Sequence, residues 1–72
     1  MEKLKELLDN LKQEEKTIMY ELERLRDVHA HHLIPTHEFL DKTATLLGRL
    51  QENGRVSNVV RDMIIKELRE NE

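Results

Sequence analysis

The sequence has 72 residues, 38% of them charged, and its formal net charge is −3 with basic and acidic side chains interleaved. So short a chain forms one small domain at most, and folding alone buries only about 60% of its unfolded surface. The absence of cysteine excludes disulfides and thiolate zinc sites, and no segment is basic enough for a large non-specific nucleic-acid footprint. No apolar run approaches the roughly 18 residues of a membrane span, and the charged first residues do not form a signal peptide, so we expect a soluble cytoplasmic protein.

One long helix is predicted over residues 1–32. Neither glycine nor proline interrupts residues 2–29, and apolar side chains recur there in alternating steps of four and three. This heptad spacing is typical of a coiled coil, and Glu15 occupies the one position of the heptad face that is not apolar. We assign self-association to the apolar members of this face, which are Leu4, Leu8, Leu11, Ile18, Leu22 and Leu25.

A turn is predicted at Pro35, because proline disfavours helical geometry at the residue before it. Thr36 suits the N-cap of a second helix over residues 36–53, which has one broad apolar face. Asn53 and Gly54 are predicted to end this helix, since glycine readily takes the left-handed conformation found just beyond a helix C-terminus.

A third helix is predicted over residues 56–70, with Ser57 suited to cap it. Its apolar residues recur at helical spacing and form one stripe. The stripe consists of Val56, Val59, Val60, Met63, Ile64 and Leu68. Ile65 falls outside the stripe, so we assign Ile65 and Arg61, on the outer side of the helix, to a surface that contacts a partner.

Two arrangements of the three helices fit their lengths, because the second and third helices together span about 45 Å and the first about 42 Å. The shorter helices can form a hairpin against part of the first helix, or lie end to end along it. In both cases one chain has too little mass to cover the first helix. We therefore expect an all-α, dimeric helical bundle or coiled coil, as a homodimer or higher symmetric oligomer. The alternative is an intramolecular bundle with Glu15 at its edge.

All four histidines lie within residues 29–37. If the first helix reaches residue 32, His29 and His32 share one face, and His37 and Glu38 follow across the turn. Such groups suit zinc or another transition ion, but their spacing matches no established ligand signature. We favour a helix end whose histidines bond free carbonyls, and we assign no metal or other cofactor. A metal site and a pH-sensitive turn are the alternatives.

Residues 47–59 read Leu-Gly-Arg-Leu-Gln-Glu-Asn-Gly-Arg-Val-Ser-Asn-Val. This segment resembles the first two helices of the helix-turn-helix in leucine-responsive-type regulators, a family in which a recognition helix follows. Residues 52–56 also resemble the inter-helix turn of Arc-type ribbon–helix–helix repressors. In that family a short strand, matched here by residues 31–34, enters the major groove as a dimeric ribbon. These resemblances imply a DNA-binding transcriptional regulator, which is an alternative function.

The sequence does not predict an enzyme, because it contains neither a glycine-rich phosphate loop nor a cysteine nucleophile, and Ser57 is better explained as a cap. Amphipathic helices of this kind typically present a groove or stripe to the helix of another protein. We therefore expect a small dimeric regulator, adaptor or inhibitor whose partner is a protein, with nucleic acid less favoured.

Overall fold

The computed structural model describes residues 2–70, and Met1, Asn71 and Glu72 lie outside the described residues. It consists of two α-helices, α1 over Glu2–Ala30 and α2 over Thr36–Glu70, joined by a turn. The helices pack against each other along their length and form a hairpin of 57 × 15 × 13 Å. The prediction of an all-α fold is confirmed. Neither helix contains, within residues 2–70, a stretch that is both long and apolar enough to cross a membrane.

The heptad face of α1 packs against α2 of the same chain. Ile18, at its centre, is completely buried. The other apolar members, Leu4, Leu8, Leu11, Leu22 and Leu25, are half-buried. Glu15 is exposed, as expected for the intramolecular alternative. The residues assigned to self-association therefore pack against α2 of the same chain, and a dimer formed through them stays a prediction.

The segments expected to form a second and a third helix belong to one continuous helix, α2, so two helices replace the three that were predicted. Gly54 does not take a positive φ, and Ser57 is buried in the middle of the helix instead of capping its start. The reason is that the heptad spacing of α2 continues without a break through this point. Its members are Phe39, Thr43, Leu46, Leu50, Asn53, Ser57, Val60 and Ile64. If the helix ended at Asn53, then Ser57, Val60 and Ile64 would lose their contact with α1.

The turn between the helices begins with a Schellman motif at the end of α1. The amide of Leu33 donates to the carbonyl of Val28 at 3.0 Å, and the amide of His32 donates to the carbonyl of His29 at 2.9 Å. His32 has a φ of 59°, in the left-handed region that this motif requires and that glycine usually occupies. Because the chain reverses here within a few residues, α2 runs antiparallel to α1.

The first helical hydrogen bond of α2 runs from the amide of Phe39 to the carbonyl of Pro35, at 3.0 Å. Pro35, and not Thr36, therefore precedes the first turn of α2, and the predicted cap at Thr36 is not formed.

Beyond the turn, side chains of α1 contact side chains of α2 along the length of the hairpin. Glu21 and Arg49 form an ion pair of 4.0 Å near the middle of the hairpin.

Candidate interaction surfaces

The histidines complete the turn. The ring of His29 stacks on Phe39 with 4.1 Å between the ring centres and an angle of 11° between the planes. Its Nε2 lies 3.3 Å from the hydroxyl of Thr36. His31 donates from Nδ1 to the carbonyl of Asp27 at 2.7 Å, in the last turn of α1, but this carbonyl is not free because it also accepts the His31 amide at 3.1 Å. These contacts join the last turn of α1 to the first turn of α2.

The residues considered as metal ligands, His29, His32, His37 and Glu38, are not brought together. Glu38 instead pairs with Lys42 at 3.1 Å on the surface of α2. Within the described part of the chain, no group of three or more histidine, aspartate or glutamate residues is arranged to hold a metal ion. The imidazoles of His29 and His31 instead make structural contacts at the turn.

A buried polar pair lies in the mainly apolar contact between the helices. The side-chain amide of Asn53 donates to the main-chain carbonyl of Leu11 at 2.8 Å, and the hydroxyl of Ser57 donates to Asn53 Oδ1 at 3.5 Å. Both polar side chains are only 4% exposed. Sequence reasoning missed this pair because it assigned both residues to helix ends. The signal was available, since both occupy heptad positions that continue from Leu46 and Leu50.

A groove of about 500 Å³ opens between α1 and α2 near the turn. Its apolar lining comes from both helices and the turn, and consists of Leu25, Val28, Ile34 and Leu46. Its remaining lining is polar or charged, and consists of Glu21, Arg24, Asp41, Lys42 and Thr45. An apolar concave site with a few charged groups at its border is the usual form of a binding site.

A second, smaller groove of about 220 Å³ lies on the same side of the hairpin, nearer its middle. Its lining includes Glu14, Arg49 and Val56. On α1, Glu14 lies one heptad before Glu21 of the larger groove. On α2, Arg49 lies one heptad after Lys42 of the larger groove, and Val56 one heptad after Arg49. We call this side the groove face. Glu52 also lines this groove, and one heptad farther toward the open end of the hairpin three exposed apolar side chains follow: Leu7 after Glu14, Val59 after Glu52 and Met63 after Val56.

The other side of the hairpin, which we call the opposite face, carries a different set of exposed apolar side chains. Leu40 and Leu47 of α2 are 58% and 50% exposed, and Met19 of α1 lies at about the level of Leu47 and is also exposed. None of the three lines either groove. Arg61 and Ile65, which were assigned to a partner surface, follow on the same side of α2 and are exposed, and that role stays a prediction.

The elements that the DNA-binding resemblances require are not formed. Residues 31–34 belong to the turn and form no strand, and residues 47–59 are helical throughout. The hairpin therefore has neither a ribbon nor the short turn that precedes a recognition helix. Comparison of the chain with protein-family models, curated proteins and solved structures gives no match.

Proposed function

We propose that this protein is a small helical interaction module that binds an amphipathic helix of a partner protein on its opposite face, as a regulator, adaptor or inhibitor does. The observation that carries the proposal is the exposure of Leu40, Ala44 and Leu47 on one side of α2. Their spacing is that of the anchor residues with which helices contact one another in groove-type recognition. Apolar side chains grouped in this way are typical of an interaction surface.

The charges beside this apolar strip indicate the chemistry of the partner. The flank of α1 on the opposite face carries four basic side chains, Lys5, Lys12, Lys16 and Arg26, and three acidic ones, Glu2, Asp9 and Glu23. Arg61 adds a further positive charge from α2, in a chain whose overall formal charge is −3. A partner helix with acidic residues beside its apolar stripe is complementary to this arrangement, and the attraction favours its orientation and rate of association.

The proposal is tested by capturing partners from a cell extract with wild-type protein and two variants. Leu47→Glu places a negative charge in the apolar strip formed by Leu40, Ala44 and Leu47, and we expect it to abolish capture. Tyr20→Glu is the matched control, because it also replaces an exposed apolar side chain with a carboxylate but lies on the outer surface of α1. Circular dichroism should show that both variants keep their helices.

Capture of the same protein by wild type and Tyr20→Glu but not by Leu47→Glu supports the proposal, and raised salt should weaken that capture. Equal capture by all three proteins would exclude the opposite face as the binding surface. A salt-sensitive shift of random duplex DNA by wild type, with no protein captured, would make nucleic acid the partner instead.

A further inference from the structure

We propose that a second copy of this chain packs antiparallel on the groove face, so that two hairpins form a four-helix bundle. The apolar cluster Leu7, Val59 and Met63 at the open end of one copy would occupy the groove near the turn of the other. This interface is distinct both from the heptad face of α1, which packs within the chain, and from the opposite face that is proposed to bind a partner.

The hairpin leaves more surface exposed than a compact monomer of the same mass. The chain exposes 5887 Å². A compact monomer of 8.6 kDa exposes about 4,700 Å², so the excess is about 1,200 Å². A stable interface of standard size buries about 800 Å² on each partner. The hairpin thus has enough surplus surface for one interface of this kind.

The shape of the molecule leads to the same conclusion. The radius of gyration is 16.7 Å, whereas a compact domain of this length has a value of about 11 Å. The excess arises because only two helices pack together, so that each has a single neighbour. Among the described residues, the buried apolar side chains are only Ile18, Leu46 and Val60. A second hairpin laid on one face would give every helix a further neighbour and double the number of layers.

The groove face is complementary to itself. Its turn end is concave and apolar, with Leu25, Val28 and Leu46 lining the groove. Its open end carries apolar side chains that project into solvent, among them Val59 and Met63, which are 54% and 50% exposed. Two copies related by a two-fold axis place each projecting cluster over the groove of the other, as a closed isologous interface requires.

The position of this axis allows the two hairpins to overlap along their whole length. Leu7 and Leu25 are separated by about 27 Å along α1, at 1.5 Å per residue. The midpoint between them lies near Lys16, which is also the middle of α1. A two-fold axis that crosses the helices near Lys16 places the open end of each copy over the turn end of the other.

The charges between the two apolar ends fit the same arrangement. Glu21 pairs with Arg49 and Glu52 pairs with Arg55 within each chain, so these side chains do not oppose the approach of a second copy. The remaining acidic group of the smaller groove is Glu14. After rotation about the axis, Glu14 of one copy lies at about the level of Arg49 of the other, where opposite charges attract.

The experiment uses the absence of native cysteine and two matched pairs of substitutions. Thr45→Cys with Val59→Cys places thiols at the groove and at the open-end cluster of the groove face. Ala44→Cys with Asn58→Cys places thiols at the same spacing on the opposite face, and all four positions are exposed. Within one helix either pair is about 21 Å apart, so a disulfide between them must join two chains.

We expect a mass of twice 8.6 kDa by sedimentation, and disulfide-linked dimers from the Thr45–Val59 variant but not from the Ala44–Asn58 variant. Thr45→Glu should weaken dimerisation at least about tenfold, because it places a carboxylate in the apolar contact, whereas Ala44→Glu should not. A monomer at all concentrations would overturn the proposal, and so would cross-linking of Thr45→Cys alone or of the opposite-face pair. These readouts do not depend on capture of a partner protein, so the two proposals can fail separately.

Discussion

The side-chain amide of Asn53 holds the carbonyl of Leu11 across the hairpin at 2.8 Å. Both groups lie in the contact between the helices, where a sliding of one helix would leave the amide without its acceptor. A single asparagine at such a position is known to specify register and orientation in paired helices, at some cost in stability. We infer that this bond selects the observed alignment of α1 and α2 from the alternatives that a leucine-rich heptad face permits.

Asn53→Asp should destabilise the hairpin strongly at neutral pH. The substitution keeps the shape of the side chain but replaces the donor with a charged acceptor beside the Leu11 carbonyl, at a site that is 4% exposed. We expect a loss of about 2–4 kcal/mol, measured by urea denaturation. The loss should shrink as pH falls, because a protonated carboxyl can donate again. Asn58→Asp is the control, since Asn58 is exposed, and an equal effect there would contradict the role of Asn53.

Gly54→Ala should stabilise the protein. Gly54 lies inside α2 without a positive φ, and an added Cβ would have no atom within 4 Å. Alanine in such a position gains about 1 kcal/mol over glycine, which is a rise of roughly 4–8 °C in Tm for a domain of this size. Gly48→Ala, also in the helix interior, should give a similar rise. A fall in Tm for Gly54→Ala alone would indicate a helix end at this position.

His32→Gly should also stabilise the protein, because His32 has a φ of 59°. A residue with a side chain pays about 1–2 kcal/mol of folding free energy to adopt the left-handed conformation, and glycine avoids this cost. Part of that gain is offset, because glycine gives the unfolded chain more conformational freedom. We expect a net gain of about 0.5–1 kcal/mol in thermal denaturation. His31→Gly is the matched control and should destabilise, since it removes the bond to the Asp27 carbonyl. A loss for both variants would show that the imidazole of His32 is itself needed.

Thr43→Val should raise stability by about 1 kcal/mol. The hydroxyl of Thr43 is buried between the helices and has no hydrogen-bond partner among the described residues. Valine has nearly the same shape and removes a polar group whose burial is not compensated. Thr45→Val is the control, because its exposed hydroxyl donates to the Asp41 carbonyl at 3.2 Å, and we expect little change there. Chemical denaturation of both variants would measure the difference, and equal effects would show that Thr43 finds a partner in solution.

The helical fold and the turn follow from local features of the sequence. Residues 2–29 offer neither glycine nor proline and carry a heptad pattern, and Pro35 disfavours helix at the residue before it. The possibility that the later helices lie end to end along the first is close to what the structure shows. An intramolecular bundle that uses the heptad face of α1, with Glu15 at its edge, was also among the alternatives.

The continuity of α2 could not be read from local preferences, because an Asn-Gly pair favours a helix end. The contact with α1 outweighs that preference, since a continuous helix keeps Ser57 and Val60 buried. The groove could not be predicted from the sequence either, because its lining depends on which residues of α1 and α2 lie beside each other along the hairpin. That alignment depends on Asn53 and Leu11, which lie 42 residues apart in the sequence.

The antiparallel hairpin also determines how the molecule responds to mechanical force. Glu2 and Glu70 belong to the same end, and the contacts between α1 and α2 follow one another from there to Pro35. Tension applied between the two ends would load these contacts one level at a time, beginning near Leu4 and Ile64. The hairpin should therefore unzip at low force, in small steps, with the Asn53–Leu11 bond as the first strong point of arrest.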